Sequence, residues 1–384
     1  MKKSREEHLT EVRKYFNTHP IVGILGPRQC GKTTLAHLFI QQENLTKKTH
    51  FFDLEDPTDV AILENPKTVL QSLKGLIVLD EIQHCPDLFP VLRVLVDRDE
   101  KKERRFLILG NASRELLKQS SESLAGRIAY TELTPFSHFE VDHFPKLWLR
   151  GGFPKSYLAR ADAESYDWRK QYIGNFLERD IPNLGINIAP VSLRRFWMML
   201  THYHGQTFNA AEIGKSLGIA ATTIRNYLDI LTGTFMVRQL LPWHENLKKR
   251  QVKTPKIYFR DSGIFHTLSN IHNQKDLIHH PKLGASWEGF MLEEVIRLHQ
   301  LEAGEVFYWG VHNSVELDLF FMKNGKRIGY EFKYSDAPKL TRSMQIAFED
   351  LKLDELHVIY PGEKTYSLAA KIIVQNIKNI SHCK

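Results

Sequence analysis

The sequence predicts an α/β protein whose N-terminal part is a parallel sheet carrying a phosphate-binding loop, and whose C-terminal half forms a second α/β unit. Three observations predict it. Apolar runs alternate with helical patterns through the first third of the chain, as β-α-β units require. A Gly-rich segment ending in Lys32 and Thr33 lies between an expected strand and an expected helix. Strand-like runs return after residue 300, behind a stretch rich in aromatics and helix formers.

In chain order, strands are expected at 21–25, 50–54, 76–79, 106–109 and 128–132, with helices at 34–42 and 88–97 between them. After Thr134 and Pro135 come Trp148, Trp168, Tyr172 and Trp197, in a segment that reads as a helical lid or connector. Two short helices at 209–217 and 222–232 are joined by a turn at Gly218 and followed by a strand at 235–241. A helix at 286–298 opens the last portion, with strands at 306–309, 315–321, 327–334 and 356–360. The expected domains are 1–140, 141–202, 203–250 and 251–384, in line with a length of 384 residues.

The chain has 52 Lys+Arg against 45 Asp+Glu, a net charge of +7, so nucleic acid is a plausible partner that charge alone does not establish. Cys30, Cys85 and Cys383 are scattered, without the spacing of a disulfide framework or zinc site. The charged first ten residues lack the apolar core of a secretory signal, and no apolar run approaches the ~20 residues of a membrane-spanning helix. The expectation is a soluble, cytoplasmic protein without membrane contact.

Gly26, Pro27, Arg28, Gln29, Cys30, Gly31, Lys32 and Thr33 match G-x-x-x-x-G-K-[ST]. The glycines let the backbone curl so that successive N–H groups face phosphate oxygens. Lys32 reaches the terminal phosphates, the Thr33 hydroxyl sits on Mg²⁺, and the helix running on from Thr34 adds its positive end. One β-α-β interval later, the apolar run 76–79 ends in Asp80 and Glu81, a carboxylate for the metal and a second to polarise water. Strand 106–109 ends near Asn111 and Ser113, either of which suits a polar group facing the γ-phosphate. Arg28 and Cys30 occupy variable loop positions; Cys30 reads as filler, or as a thiol activated by the helix terminus.

Helices 209–217 and 222–232 have the spacing of a helix-turn-helix, and the strand behind them suggests a winged form. Ala211, Ile213 and Leu217 would pack on Ile224, Leu228 and Leu231, leaving Thr222, Thr223, Arg225 and Asn226 to face a ligand. Lys248, Lys249, Arg250 and Lys253 add charge able to track a phosphate backbone. Such modules also dock proteins. Farther on, alternation puts Glu316 and Asp318 on one strand face with Leu317 and Leu319 on the other, and pairs Glu331 with Lys333. Two carboxylates and a lysine so placed suit a metal-dependent nuclease, a platform without catalysis, or a plain charged sheet face.

These motifs together resemble the prokaryotic AAA-type ATPases whose C-terminal domain, long of unknown function, has a restriction-endonuclease-like fold. The likeness rests on the phosphate loop and on Leu79-Asp80-Glu81-Ile82-Gln83, Leu109-Gly110-Asn111-Ala112-Ser113 and Leu124-Ala125-Gly126-Arg127. It continues through Leu133 to Ser137, Gly151 to Pro154, Leu177 to Ile181, Val315 to Asp318 and Tyr330 to Lys333. Asn111 departs from the family pattern, which has serine there. The resemblance implies an AAA-type core binding ATP and Mg²⁺, a restriction-endonuclease-like domain and a homo-oligomer in which an arginine faces the neighbour's nucleotide. Arg127 is the candidate for that finger and Arg179 a weaker one. The resemblance also adds Glu288 as a supporting acid to Asp318, Glu331 and Lys333. The implied function is ATP hydrolysis coupled to nucleic-acid binding or processing. The alternative is a regulatory ATPase switch docking a protein partner.

Overall fold

The computed structural model describes residues 5–101, 103–113, 124–244, 252–311 and 315–380. Lys248, Lys249, Arg250 and Cys383 of the sequence reading lie outside them. The chain divides into two compact units: Met1–Asp142 with Gly174–Ile188 and Asp229–Met236, and His143–Ile173 with Ala189–Leu228 and Val237–Lys384.

In the first unit β1 (Ile21–Leu25), β2 (Thr49–Asp53), β3 (Gly75–Asp80), β4 (Arg104–Gly110) and β5 (Ile128–Glu132) form one sheet in the order β2-β3-β4-β1-β5. All four pairings are parallel. Side chains of a strand point alternately to its two faces, and both faces here are covered. Val22, Ile24, Val78, Leu107 and Leu109 pack on helices Glu6–Phe16 and Lys32–Gln42. Ile21, Ile77, Leu79, Phe106 and Ile108 pack on helix Leu88–Asp97. Parallel strands end together, so the loops after β1, β3 and β4 meet at one edge, with β4 in the middle.

The second unit holds a mixed sheet of nine strands, β6 (Gln206–Thr207), β7 (Val237–Pro242), β8 (Lys256–Phe259), β9 (Val306–Val311), β10 (Val315–Lys323), β11 (Lys326–Phe332), β12 (Glu355–Ile359), β13 (Tyr366–Ala369) and β14 (Ile372–Gln375). Its order is β13-β14-β12-β11-β10-β9-β7-β8-β6. β9, β10 and β11 run antiparallel, whereas β12 joins β11 in parallel after helix Arg342–Asp350. The expected placing of Leu317 and Leu319 on one face needs correction. A register shift between Leu317 and Phe320 puts one extra residue into β10 there, so Leu317 and Phe320 share the core under helix Arg342–Asp350.

Helices Ala210–Leu217 and Ala221–Gly233 are joined through Gly218, whose φ of 70° is the left-handed helix stop glycine accepts. A β6-β8-β7 antiparallel set belongs to the same stretch of chain. Ile213, Ile224, Leu228 and Leu231 are buried as expected, but Ala211 is exposed. Thr222, Arg225 and Asn226 are exposed, whereas Thr223 is only half so. Among the described residues no helix is long and apolar enough to cross a membrane.

The segment Gly151 to Pro154 turns a corner around a carboxylate. Gly151 has φ 74° and ψ 177°, a region nearly closed to other residues. Asp261 accepts from Gly152 N–H at 2.8 Å and Ile264 N–H at 2.9 Å, and a Cβ on Gly151 would lie 2.1 Å from Asp261 Oδ1. Gly151→Ala therefore combines backbone strain with overpacking, and a destabilisation of about 3 kcal/mol is expected. Urea unfolding should show a lower midpoint; an unchanged one would contradict this account of the corner.

Candidate functional site

The loop after β1 curls back on itself. Gln29 has φ 61° and Gly31 φ 106°, and helix Lys32–Gln42 starts directly from Gly31. The Gly31 N-cap has no side chain to cap that helix, and nothing lies within 4 Å of where a Cβ on Gly31 would stand, so the first turn is left open to a ligand. Gly26 is fixed by close packing instead, since a Cβ there would meet Leu133 O at 2.2 Å. Gln29, Thr33 and Thr34 line the exposed rim of the loop, while Gly26, Pro27, Cys30 and Lys32 are buried.

Lys32 Nζ donates to the carbonyls of Gly26 and Pro27, both at 3.0 Å, and to Asn111 Oδ1. Among the described residues no carboxylate pairs with this buried ammonium. A buried cation without an anion is costly, and the open amides beside it offer an anion a place. Thr33 Oγ1 donates to Asp80 Oδ2 at 2.7 Å, and Asp80 Oδ1 accepts the Glu81 N–H at 2.9 Å. Burial pushes the Asp80 carboxyl above its ordinary range, against the pull of the Thr33 hydroxyl. This donor set fits a triphosphate with a hard divalent cation: amides and Lys32 for the phosphates, the Thr33 hydroxyl and Asp80 for Mg²⁺.

Asn111 stands at the end of β4, between the other two strands. Its oxygen accepts from Lys32 and its amide donates to the Glu81 carboxylate. Gln83 Nε2 also donates to Glu81, at 2.5 Å, and Glu81 holds a left-handed φ of 58°. Ser113 does not join this chain; its N–H donates to Gly233 O at 2.8 Å. Arg28, at a variable position of the loop, binds Asp180 at 2.5 Å and Glu55 at 3.1 Å. Asp180 closes a five-residue π-helical turn, Phe176–Asp180. It lines a pocket with Arg28, Gln83, His84 and Asn111. The activated-thiol alternative for Cys30 is corrected: the side chain is fully buried and burial pushes its pKa up.

Arg127 lies at the opposite edge of the sheet. It precedes β5, and its carbonyl accepts from Ile21 N–H at the start of β1. The strand length puts it about 16 Å from its own loop. Its guanidinium makes a bidentate, exposed pair with Asp97 at 2.6 and 2.9 Å. Arg179 is exposed in the π-helical turn.

In the second unit Asp318, Glu331, Lys333 and Glu288 come together as the sequence proposed, with Lys256 and Tyr258 among them. The pairing of Leu319 with Tyr330 sets Asp318 beside Glu331. Asp318 Oδ2 accepts the Phe332 N–H at 3.0 Å, and Lys333 Nζ lies 2.7 Å from Glu331. Glu288, from helix Leu283–Leu298, accepts from Tyr258 Oη at 2.6 Å. Lys256 Nζ lies 3.1 Å from Glu316 and 3.9 Å from both Glu288 and Asp318. Burial, then the Asp318 charge, pushes Glu288 up to about 7. The same two causes carry Glu331 well above the carboxylate range.

Among the described residues one group offers three ligand atoms within 4.8 Å of one another, Glu55, Glu81 and His84. Arg28 and Asn111 already engage its carboxylates. Sequence reasoning missed Lys256, Tyr258, Gln83 and the Arg28–Asp180 pair. Gln83 had a signal, two residues beyond Glu81 in the same motif. The others had none, because their partners lie 30 to 152 residues away.

A five-stranded parallel sheet with this loop, an acid-ended strand beside it and the bridging Asn111 defines a phosphate-loop domain of the AAA class. The AAA domain family accordingly matches residues 18–141, and two domains of unknown function match 141–275 (DUF8612) and 283–380 (DUF4143). The chain is 45% identical over 371 residues to the uncharacterized protein Rv2008c of Mycobacterium tuberculosis, covering 96% of this chain and 82% of that one. The Mycobacterium bovis protein Mb2031c matches with the same identity and coverage. The chain belongs to the family of these two proteins. Among solved structures, a Walker-type ATPase of Pyrococcus abyssi is similar at 14% identity and a TM-score of 0.49, over 69% of this chain and 95% of that one.

The raised Glu288 carboxyl has a consequence for stability. The folded chain keeps its proton to about pH 7, whereas the unfolded chain loses it near the ordinary 4.5. Between those values the folded state binds more protons, so this group's contribution falls as pH rises. Glu288→Gln should remove that part of the decline, seen as melting curves of the two proteins diverging between about pH 5 and 8. Parallel curves would count against it.

Proposed function

We propose that this protein binds ATP with Mg²⁺ at Gly26 to Thr34 and hydrolyses it, and that the second unit uses this cycle to act on nucleic acid. The observation that carries the first part is the chain of contacts from Lys32 through Asn111 to Glu81. When bound, Mg²⁺ supplies the Lewis acid for the γ-phosphoryl oxygens. Loop amides and Lys32 hold the phosphates, and Thr33 and Asp80 face the metal. Glu81, oriented by Asn111 and Gln83, accepts the proton of the attacking water. Asn111 ties Lys32 and Glu81 together, which suits a residue that senses the γ-phosphate.

The second part rests on Glu288, Asp318, Glu331 and Lys333 converging in one site, with Asp318 and Glu331 buried and the other two half-buried. In this reading Asp318 and Glu331 are ligands for a divalent cation, Glu288 is a supporting acid and Lys333 steadies charge developing on a phosphodiester. The β10-β11-β12 order and helix Leu283–Leu298 beside the site support a restriction-endonuclease-like domain. The succession of helix, β6, two helices and the β7-β8 pair supports a winged helix-turn-helix, with Thr222, Arg225 and Asn226 facing nucleic acid.

Glu81→Gln should retain ATP and lower its turnover at least ~100-fold, as expected when a proton acceptor is lost. Asp318→Ala should abolish Mg²⁺- or Mn²⁺-dependent cleavage of DNA and leave ATP turnover unchanged. Normal turnover in the first variant removes Glu81 from its role. A wild-type protein that cuts no form of DNA or RNA with ATP present favours the alternative, a switch that docks a protein partner.

Arg127 cannot serve its own chain's phosphates from the far edge of the sheet, so its place in this reading is across a homo-oligomeric interface, released from Asp97. Mixing Arg127→Ala chains with Lys32→Ala chains should then restore ATP turnover that neither has alone, given the ~10³-fold value of such an arginine. Co-assembly without rescue would exclude it.

A further inference from the structure

Lys256 is 3% exposed in its side chain, and no sequence motif marked it. β8 delivers it together with Tyr258; residues two apart on a strand share a face, and both meet Glu288. Its ammonium faces three carboxylates, Glu316 at 3.1 Å and Glu288 and Asp318 at 3.9 Å each. Lysine keeps its charge when buried only if such partners surround it. The geometry around Nζ is that of a bound cation rather than a lone surface ion pair.

The charges of the site support the same view. With all four acids ionised, as cation binding would require, Glu288, Glu316, Asp318 and Glu331 stand against Lys256 and Lys333, an excess of two negative charges. One divalent cation would balance it. Two would leave the buried site positive. Glu288, Asp318 and Glu331 moreover do not bring three ligand atoms all within 4.8 Å of one another, and the Lys256 ammonium lies 3.9 Å from each of the first two. Nucleic-acid enzymes with two metal ions hold them roughly 3.5–4 Å apart, one on each side of a shared carboxylate. Here the Asp318 carboxylate has both Glu331 and, at 3.9 Å, the Lys256 ammonium as neighbours.

We infer that Lys256 occupies the position of a second metal ion, so that the site takes a single divalent cation, held from the Asp318 and Glu331 side. This rests on the reading of that site as metal-binding. Lys256 is then a specificity-determining residue: it sets the ion count and presents a fixed ammonium, with proton donors, where a two-ion site presents a Lewis acid. Arg at 256 would keep the charge; a neutral side chain would leave Glu288, Glu316 and Asp318 facing one another with no cation between them.

The test counts Mn²⁺ bound to the full, nucleotide-free chain by the electron paramagnetic resonance of the free ion. Each protein is compared with the same protein carrying Asp318→Ala. Wild type and Lys256→Arg should hold about one Asp318-dependent ion, and Lys256→Met about two, the number of a two-ion site. Lys256→Gln gives the same reading if the methionine variant does not fold. An Asp318-dependent ion in wild type with no further ion in either neutral variant overturns the role of Lys256 and leaves the metal site standing. No Asp318-dependent ion in wild type or neutral variants overturns the metal reading itself, and the inference with it.

Discussion

Lys32 is buried and, among the described residues, makes no ion-pair contact with a carboxylate, and the first unit is arranged around that charge. Two loop carbonyls and Asn111 hold the ammonium, so the loop keeps its curl and its amides stay pointed outward. A lysine paired with an acid here would have satisfied itself and left no reason for an anion to bind. The carboxylates nearby are engaged elsewhere: Asp80 by Thr33, Glu81 by Asn111 and Gln83, Asp180 and Glu55 by Arg28. Each acid is thus kept off Lys32 by a named partner.

The C-terminal unit solves the opposite problem. There the acids are in excess, and two lysines reduce a cluster that would otherwise be too negative to bury. Burial and mutual repulsion raise Glu288 and Glu331, so protons supply what the lysines do not. The extra residue in β10 next to Asp318 belongs to the same solution. It turns Leu317 and Phe320 into one core while Asp318 meets the Phe332 N–H on the neighbouring strand.

Much of the first unit was legible in advance because its signals are local. A phosphate loop, its flanking strand and helix, and an acid-ended strand are each written in fewer than a dozen consecutive residues. The five strands accordingly fall where their apolar runs predicted, within two residues at either end. Alternation failed in β10, since a bulge inserts a residue without any change in composition. The pair β13 and β14 was missed for a similar reason: strands of four residues are too short to show a period.

The sequence alone determined the phosphate loop, the acid-ended strand beside it and the β-α-β order of the first unit, because those depend on residue type and near-neighbour spacing. It also brought Asp318, Glu331 and Lys333 forward as a set. Tertiary structure decided what those residues face. It put Asn111 between Lys32 and Glu81, closed Arg28 onto Asp180, buried Cys30 beyond reaction, and turned Arg127 onto Asp97 at the far edge of the sheet. It also set Lys256 among three carboxylates contributed by residues 32 to 62 positions away. Such contacts join groups distant in sequence, and their energy depends on burial and separation, neither of which a linear pattern carries.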